Sequence, residues 1–282
     1  MSDIERRLKE FVDRKNEVAR FERFFADPDK IVLAVTGPEG RGKSLLRVRL
    51  VKKCSDDGLP HAVLLSTNDD IHDFLSILHC CCENLGVTQF PRFTAALQPL
   101  VAAVDVNLRA GGNIKMLENA QIPGSVGAVT GMVLNNPQFT FAGAATVSPM
   151  ERRRTITTEF LSDLRKVTVA APLVIFLDAA EKMMPETLAW LWEKFVPALG
   201  QNEIRSTKIV FFSQIEPATE SDAELYVEKT QLPPLDVPDI AEYLELKGLP
   251  KDFAALMKHF TKGEPLKIVQ ETERYKAEQA AQ

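Results

Sequence analysis

The sequence predicts an α/β fold: a parallel β-sheet with helices on both faces, joined to a small C-terminal helical lid. Three observations carry this. Short, largely apolar runs (Ile31 to Thr36, Leu173 to Asp178, Lys208 to Ser213) alternate with helical spacings, the pattern of strands buried on both faces and linked by crossover helices. A glycine-rich octapeptide lies between the first run and a helix. From Pro238 onward the chain reads as helix, broken at Gly248-Leu249-Pro250 and Gly263-Glu264-Pro265.

Each element can be justified in order. Ile4 to Phe25 carries apolar residues at near-helical spacing, and Asp13-Arg14-Lys15-Asn16 reads as a turn between two helices. Ile31 to Thr36 is the first strand, followed by the glycine-rich loop and a helix from about Gly42 to Ser55. Ala62 to Ser66 is a second strand, and Asp69-Asp70 are placed to cap a helix ending near Leu85. Phe90 to Val147 changes texture. A weakly helical run reaches about Val104, and a stretch rich in Gly, Asn, Ala, Val and Thr follows, read as an insertion that is either a loose loop or a contact surface covered in an assembly. A helix from Pro149 to Val167, the strand Leu173 to Asp178, a helix from Leu188 to Leu199, the strand Lys208 to Ser213 and a short strand near Val227 to Leu232 complete the βα alternation. The expected domains are a helical lead-in (1–29), a core (30–236) interrupted by the insertion at about 90–147, and the lid (237–282).

The 282 residues are 45% hydrophobic and 26% charged, with a formal net charge of -5, so the chain can bury a core and carries no overall field for a polyanion. A nucleic-acid partner is not expected without a local basic patch. No apolar run approaches a membrane span, and the charged N-terminus has no signal-like apolar stretch, so a cytoplasmic location without membrane contact is expected. The four cysteines are Cys54 and the run Cys80-Cys81-Cys82. Successive helical positions diverge by about 100°, so that run is read as reduced, at least half-buried thiols rather than a metal site. His72 and His79 share a helix face and are read as structural. Trp190 and Trp192, two apart on a helix, are expected to put one ring in the core and leave the other partly exposed.

The octapeptide Gly37-Pro38-Glu39-Gly40-Arg41-Gly42-Lys43-Ser44 satisfies G-x-x-x-x-G-K-[ST]. Its chemistry is phosphate binding. Backbone N–H groups from Glu39 to Ser44 form a nest at a helix N-terminus, the Lys43 ammonium reaches β- and γ-oxygens, and the Ser44 hydroxyl ligates Mg²⁺. ATP or GTP with Mg²⁺ is the ligand such a loop holds, contacting Gly37 through Ser44 and the adjoining Leu45. The second half of such a site is an acid ending a neighbouring strand, and Asp178 fills that place as second expected Mg²⁺ ligand. A carboxylate that polarises the attacking water often comes next, but the next residue is Ala179. The base is therefore either Glu181, at an unusual offset, or missing, and slow turnover is expected.

With these residues in view, the chain resembles the STAND group of P-loop NTPases, NACHT- and apoptotic-ATPase-like proteins related to AAA+ and origin-recognition ATPases. Phe11-Val12-Asp13-Arg14-Lys15-Asn16-Glu17-Val18 looks like the F-V-G-R-E-x-E-L segment of that group, with Asp13 replacing Gly. The resemblance implies that this segment, with Val12 and Arg14, lies against adenine. Leu177-Asp178-Ala179-Ala180-Glu181 is similar to L-D-x-x-D-E, and Lys208 to Gln214 to the sensor 1 strand, which implies that Ser213 or Gln214 faces the γ-phosphate. Gln231 to Leu235 resembles the entry to the lid, and Gly263-Glu264-Pro265-Leu266 the G-x-P-L motif, whose proline, here Pro265, touches nucleotide.

The resemblance implies a nucleotide-controlled switch acting through homo-oligomerisation or a separately encoded effector or sensor, with Arg152-Arg153-Arg154 or Arg205 as possible trans-acting fingers. The competing expectations are a nucleic-acid-associated AAA+ motor and a non-hydrolysing ATP-binding scaffold.

Overall fold

The computed structural model describes residues 14–66, 73–98, 148–201, 204, 206–219 and 221–280. The core is a five-stranded, all-parallel sheet in the order β2-β3-β4-β1-β5. Its strands are β1 (Val32–Thr36), β2 (His61–Leu65), β3 (Leu173–Asp178), β4 (Thr207–Ser213) and β5 (Val227–Gln231). The three central strands are buried along their whole length, which is why they read as continuous apolar runs rather than alternating ones.

Alternate residues of these strands feed two separate cores. Val32, Ala34, Ile175, Leu177, Ile209 and Phe211 face one side. There they meet α3 (Phe74–Leu85), α4 (91–98), α5 (Pro149–Ala170) and α6, which runs through Pro185–Trp190, Leu191–Phe195 and Val196–Gln201. Leu33, Val35, Val174, Phe176, Val210 and Phe212 face the other, against α1 (Lys15–Ala26) and α2 (Lys43–Asp56). The two-residue period of a strand supplies both faces.

Several expectations are corrected here. Lys15 and Asn16 belong to α1 rather than to a turn, Arg14, with φ 70°, is left-handed, and Asp13 lies outside the described residues. The cap of α3 is Asp73, whose Oδ1 accepts from the Leu75 and Ser76 N–H groups; Asp69, Asp70 and His72 lie outside the described residues. The stretch that begins at Phe90 is core: Phe90, Phe93 and Leu97 are buried, and Phe90 stacks on Phe160 at 5.3 Å. Asp163 of α5, fully buried, accepts from the Arg92 and Phe93 N–H groups and so holds the first turn of α4. Residues 99–147 lie outside the described residues.

Trp190 and Trp192 are both buried. Trp190 stacks on Phe195 and donates Nε1–H to Thr157, while Trp192 sits edge-on to Phe211. Helix α6 contains a π-helical turn, Leu191–Phe195, and is packed between β4 and α5, so opposite faces of it are both covered.

The lid is α7 (Val237–Leu246), α8 (Ala254–Thr261) and α9 (Pro265–Ala280). Its core is small: Leu235, Ile240, Tyr243, Leu244, Ala254 and Ile268. Among the described residues no helix is long and apolar enough to cross a membrane. All four cysteines are free thiols, with Cys54, Cys81 and Cys82 buried and Cys80 half-buried.

Candidate functional site

The site lies at the C-terminal ends of the parallel strands, where open α/β sheets bind their ligands. Strand β1 ends at Thr36, the glycine-rich loop follows, and Lys43 begins α2. Strand β4 separates β1 from β3, so Ser213 pairs in register with Thr36 and stands between the loop and Asp178.

In this structure the site's charged groups are engaged with one another and with backbone. The Lys43 ammonium donates to the Gly37 and Pro38 carbonyls at 2.6 and 2.9 Å. Burial lowers its pKa, although Glu181, Asp178 and Glu39 pull the other way. Asp178, 7% exposed, uses both carboxylate oxygens: Oδ1 accepts from the Ala179 N–H at 2.9 Å and Oδ2 from Arg47 Nε at 2.9 Å. Glu181 Oε2 accepts from the Gln214 N–H at 3.1 Å, which ties the candidate base to the residue that follows β4.

Ser213 is buried and its hydroxyl accepts from the Ile215 N–H. Leu45 is half-buried and Ser44 exposed on the first turn of α2. Ser44 and Asp178 offer hard oxygen donors of the kind Mg²⁺ takes, so the donor set fits that ion.

Arg14 links three segments. Its guanidinium donates to the Arg41 carbonyl in the loop at 3.0 Å, to the Pro233 carbonyl at the entry to the lid at 2.9 Å, and to Glu17. Val12 lies outside the described residues, as does Arg205. Of the other proposed finger residues, Arg153 lies over the Phe74 ring at 4.9 Å, within its own chain. Among the described residues the non-glycine positions with positive φ are Arg14, Ala179 and Lys262. Arg14 precedes α1, Ala179 follows Asp178 and Lys262 precedes Gly263, and left-handed backbone at each costs about 1–3 kcal/mol. The left-handed turn at Ala179 buries Ala180 and brings Glu181 to Gln214.

The lid rests on the loop. The Leu266 N–H donates to the Gly40 carbonyl at 3.2 Å, and a Cβ added at Gly40 would lie 3.0 Å from Leu266 Cβ. Pro265 is the neighbour of Gly42. The lid motif is itself pinned at Gly263, where φ is +71° and a Cβ would lie 2.3 Å from the Leu235 carbonyl oxygen; no L side chain fits there.

The fold has a known counterpart. The crystal structure of Cdc6p from Pyrobaculum aerophilum superposes with a TM-score of 0.53 at 12% identity, over 96% of this chain and 65% of that one. The chain has a P-loop NTPase fold. It thus spans about two thirds of the Cdc6p structure it matches. A STAND protein with a tetratricopeptide repeat sensor from Pyrococcus horikoshii is also similar, at 14% identity over 92% of this chain and 29% of that one, with a TM-score of 0.44 that adds no weight. No protein-family model and no curated protein matches the sequence.

Arg47 was not singled out by sequence. The signal was its spacing, four residues after Lys43 on one helix face, but its partner is 131 residues away.

Proposed function

We propose that this chain is an ATP-binding switch of STAND-like type, in which nucleotide held between the phosphate loop and the lid sets the position of the lid. Through the lid it controls self-association or docking on a separately encoded partner. The observation that supports this most directly is the contact of Leu266 with Gly40: the lid touches the loop where phosphates are expected. A phosphate drawing Lys43 off the Gly37 and Pro38 carbonyls reshapes the surface on which the lid rests.

In this reading the N–H groups of Glu39 to Ser44 cradle the β-phosphate and Lys43 neutralises β- and γ-oxygens. Ser44 and Asp178 are the residues that would hold Mg²⁺, which would supply further neutralisation of the phosphate charge. Arg14 connects loop and lid entry and transmits movement of either. Pro265 and Leu266 follow the loop directly, and Gln214 holds Glu181. Glu181 is the candidate general base; with its carboxylate occupied by Gln214 and Ala179 in the usual position, hydrolysis is slow.

The test compares the protein with its Lys43→Ala variant by light-scattering mass and phosphate release in ADP, ATP and a non-hydrolysable ATP analogue. The expected result is a nucleotide-dependent change of mass or hydrodynamic size in the wild type alone. Glu181→Gln abolishes whatever phosphate release remains. Indifference of both proteins to every nucleotide would reject the switch.

A further inference from the structure

Arg47 occupies a place of its own in the site. It lies on α2 four residues after Lys43 and three after Ser44, and side chains on a helix lean toward its N-terminus, so all three present to the same end of the sheet. Its Nε meets Asp178 Oδ2 at 2.9 Å, with the two side chains only 15% and 9% exposed. The other oxygen, Oδ1, is taken by the Ala179 N–H. The carboxylate expected to face Mg²⁺ is therefore already neutralised by a cation of the chain's own, in a setting where screening by water is weak.

We propose that Arg47 is the built-in counter-ion of Asp178, which a divalent cation must displace, so that the resting site accepts nucleotide without metal and gains little from it. This rests on the nucleotide reading above. A guanidinium cannot lose its charge near neutral pH, so the competition persists across the physiological range. It ends only when the side chain swings away from Oδ2. Metal loading is then coupled to a movement of Arg47, and nucleotide alone is not sufficient to complete the site.

The experiment titrates the full chain with a fluorescent ADP and a fluorescent ATP analogue, once in EDTA and once in excess Mg²⁺, for wild type, Arg47→Gln, Arg47→Lys and Asp178→Asn. In wild type, Mg²⁺ changes affinity by less than about threefold, whereas Arg47→Gln gains about tenfold from the metal because one unit charge no longer opposes it. Arg47→Lys retains the charge and behaves like wild type. In a double variant that combines Arg47→Gln with Asp178→Asn, titrated alongside these, the Arg47→Gln gain disappears.

A merely structural role for Arg47 would weaken binding equally with and without metal. That result, or a metal dependence unchanged by Arg47→Gln, overturns the proposal while leaving nucleotide binding intact. If no variant and no wild-type sample binds either analogue, the nucleotide reading itself falls, and the counter-ion role with it.

Discussion

The sheet core and the lid are built on different scales. The core has two apolar clusters, one on each face of five strands, with Phe21, Phe24, Phe160, Phe176 and Phe212 almost fully buried. The lid has one cluster of six buried residues under three helices. It also leaves Leu256 and Phe260 exposed. Burial stabilises in proportion to area, so the core is expected to be the more stable part and the lid to lean more on its seat at Leu235, Gly263 and the phosphate loop. The proposed switch would draw on this inequality, because the element that moves is the one with less burial to lose.

The contrast is broken most strongly from the core side. Phe160 packs against Phe90, Phe93 and Phe195, so Phe160→Ala costs about 3–5 kcal/mol in denaturant unfolding followed by tryptophan fluorescence. Both tryptophans lie in the core and report it directly.

Gly263→Ala tests the lid. With φ +71° and the Leu235 carbonyl in the way, it costs at least the left-handed strain alone, about 1–3 kcal/mol, confined to α7–α9. Hydrogen exchange there accelerates while the fluorescence-detected core transition stays in place. A loss shared by both probes would show that lid and core unfold as one unit.

A smaller effect is expected at Lys258, whose ammonium donates to the Leu235 carbonyl and Asp236. Lys258→Ala loosens the lid by about 0.5 kcal/mol, detectable as faster exchange in α7 and α8 alone.

The smallest change sharpens the view of the core. Burial pushes the Cys54 thiol from 9.0 to about 11 and raises Cys81 and Cys82 as well. At pH 8 iodoacetamide therefore modifies Cys80 first, read by peptide mass. The sign for stability follows. The folded state keeps the Cys54 proton when the unfolded state has lost it, so this contribution is complete below pH 9.0 and is lost as pH rises toward about 11.

Much of this was legible in the sequence because it is local. The central strands announce themselves by burial on both faces, the loop by its glycines and lysine, and the lid by glycine-proline breaks at Gly248 and Gly263. What was not legible depends on neighbours distant in the chain. Trp192 is buried because α6 contains a π turn and is covered on both sides. Phe90 belongs to the core because Phe160 and Asp163 receive it and the turn that follows. The Asp178 carboxylate was placed correctly at its strand end, yet nothing in its vicinity in sequence names Arg47 as partner.

Residue order alone thus determined that this chain would form parallel strands, a phosphate-type loop at the head of a helix and a helical cap, since periodicity and backbone preference act within a few residues. Only the tertiary structure decided how the charges of the site are shared: Lys43 with loop carbonyls, Asp178 with Arg47, Glu181 with Gln214, and the lid with Gly40. Such pairings are settled by which strands lie side by side, and the strand order of the sheet is a property of the whole chain.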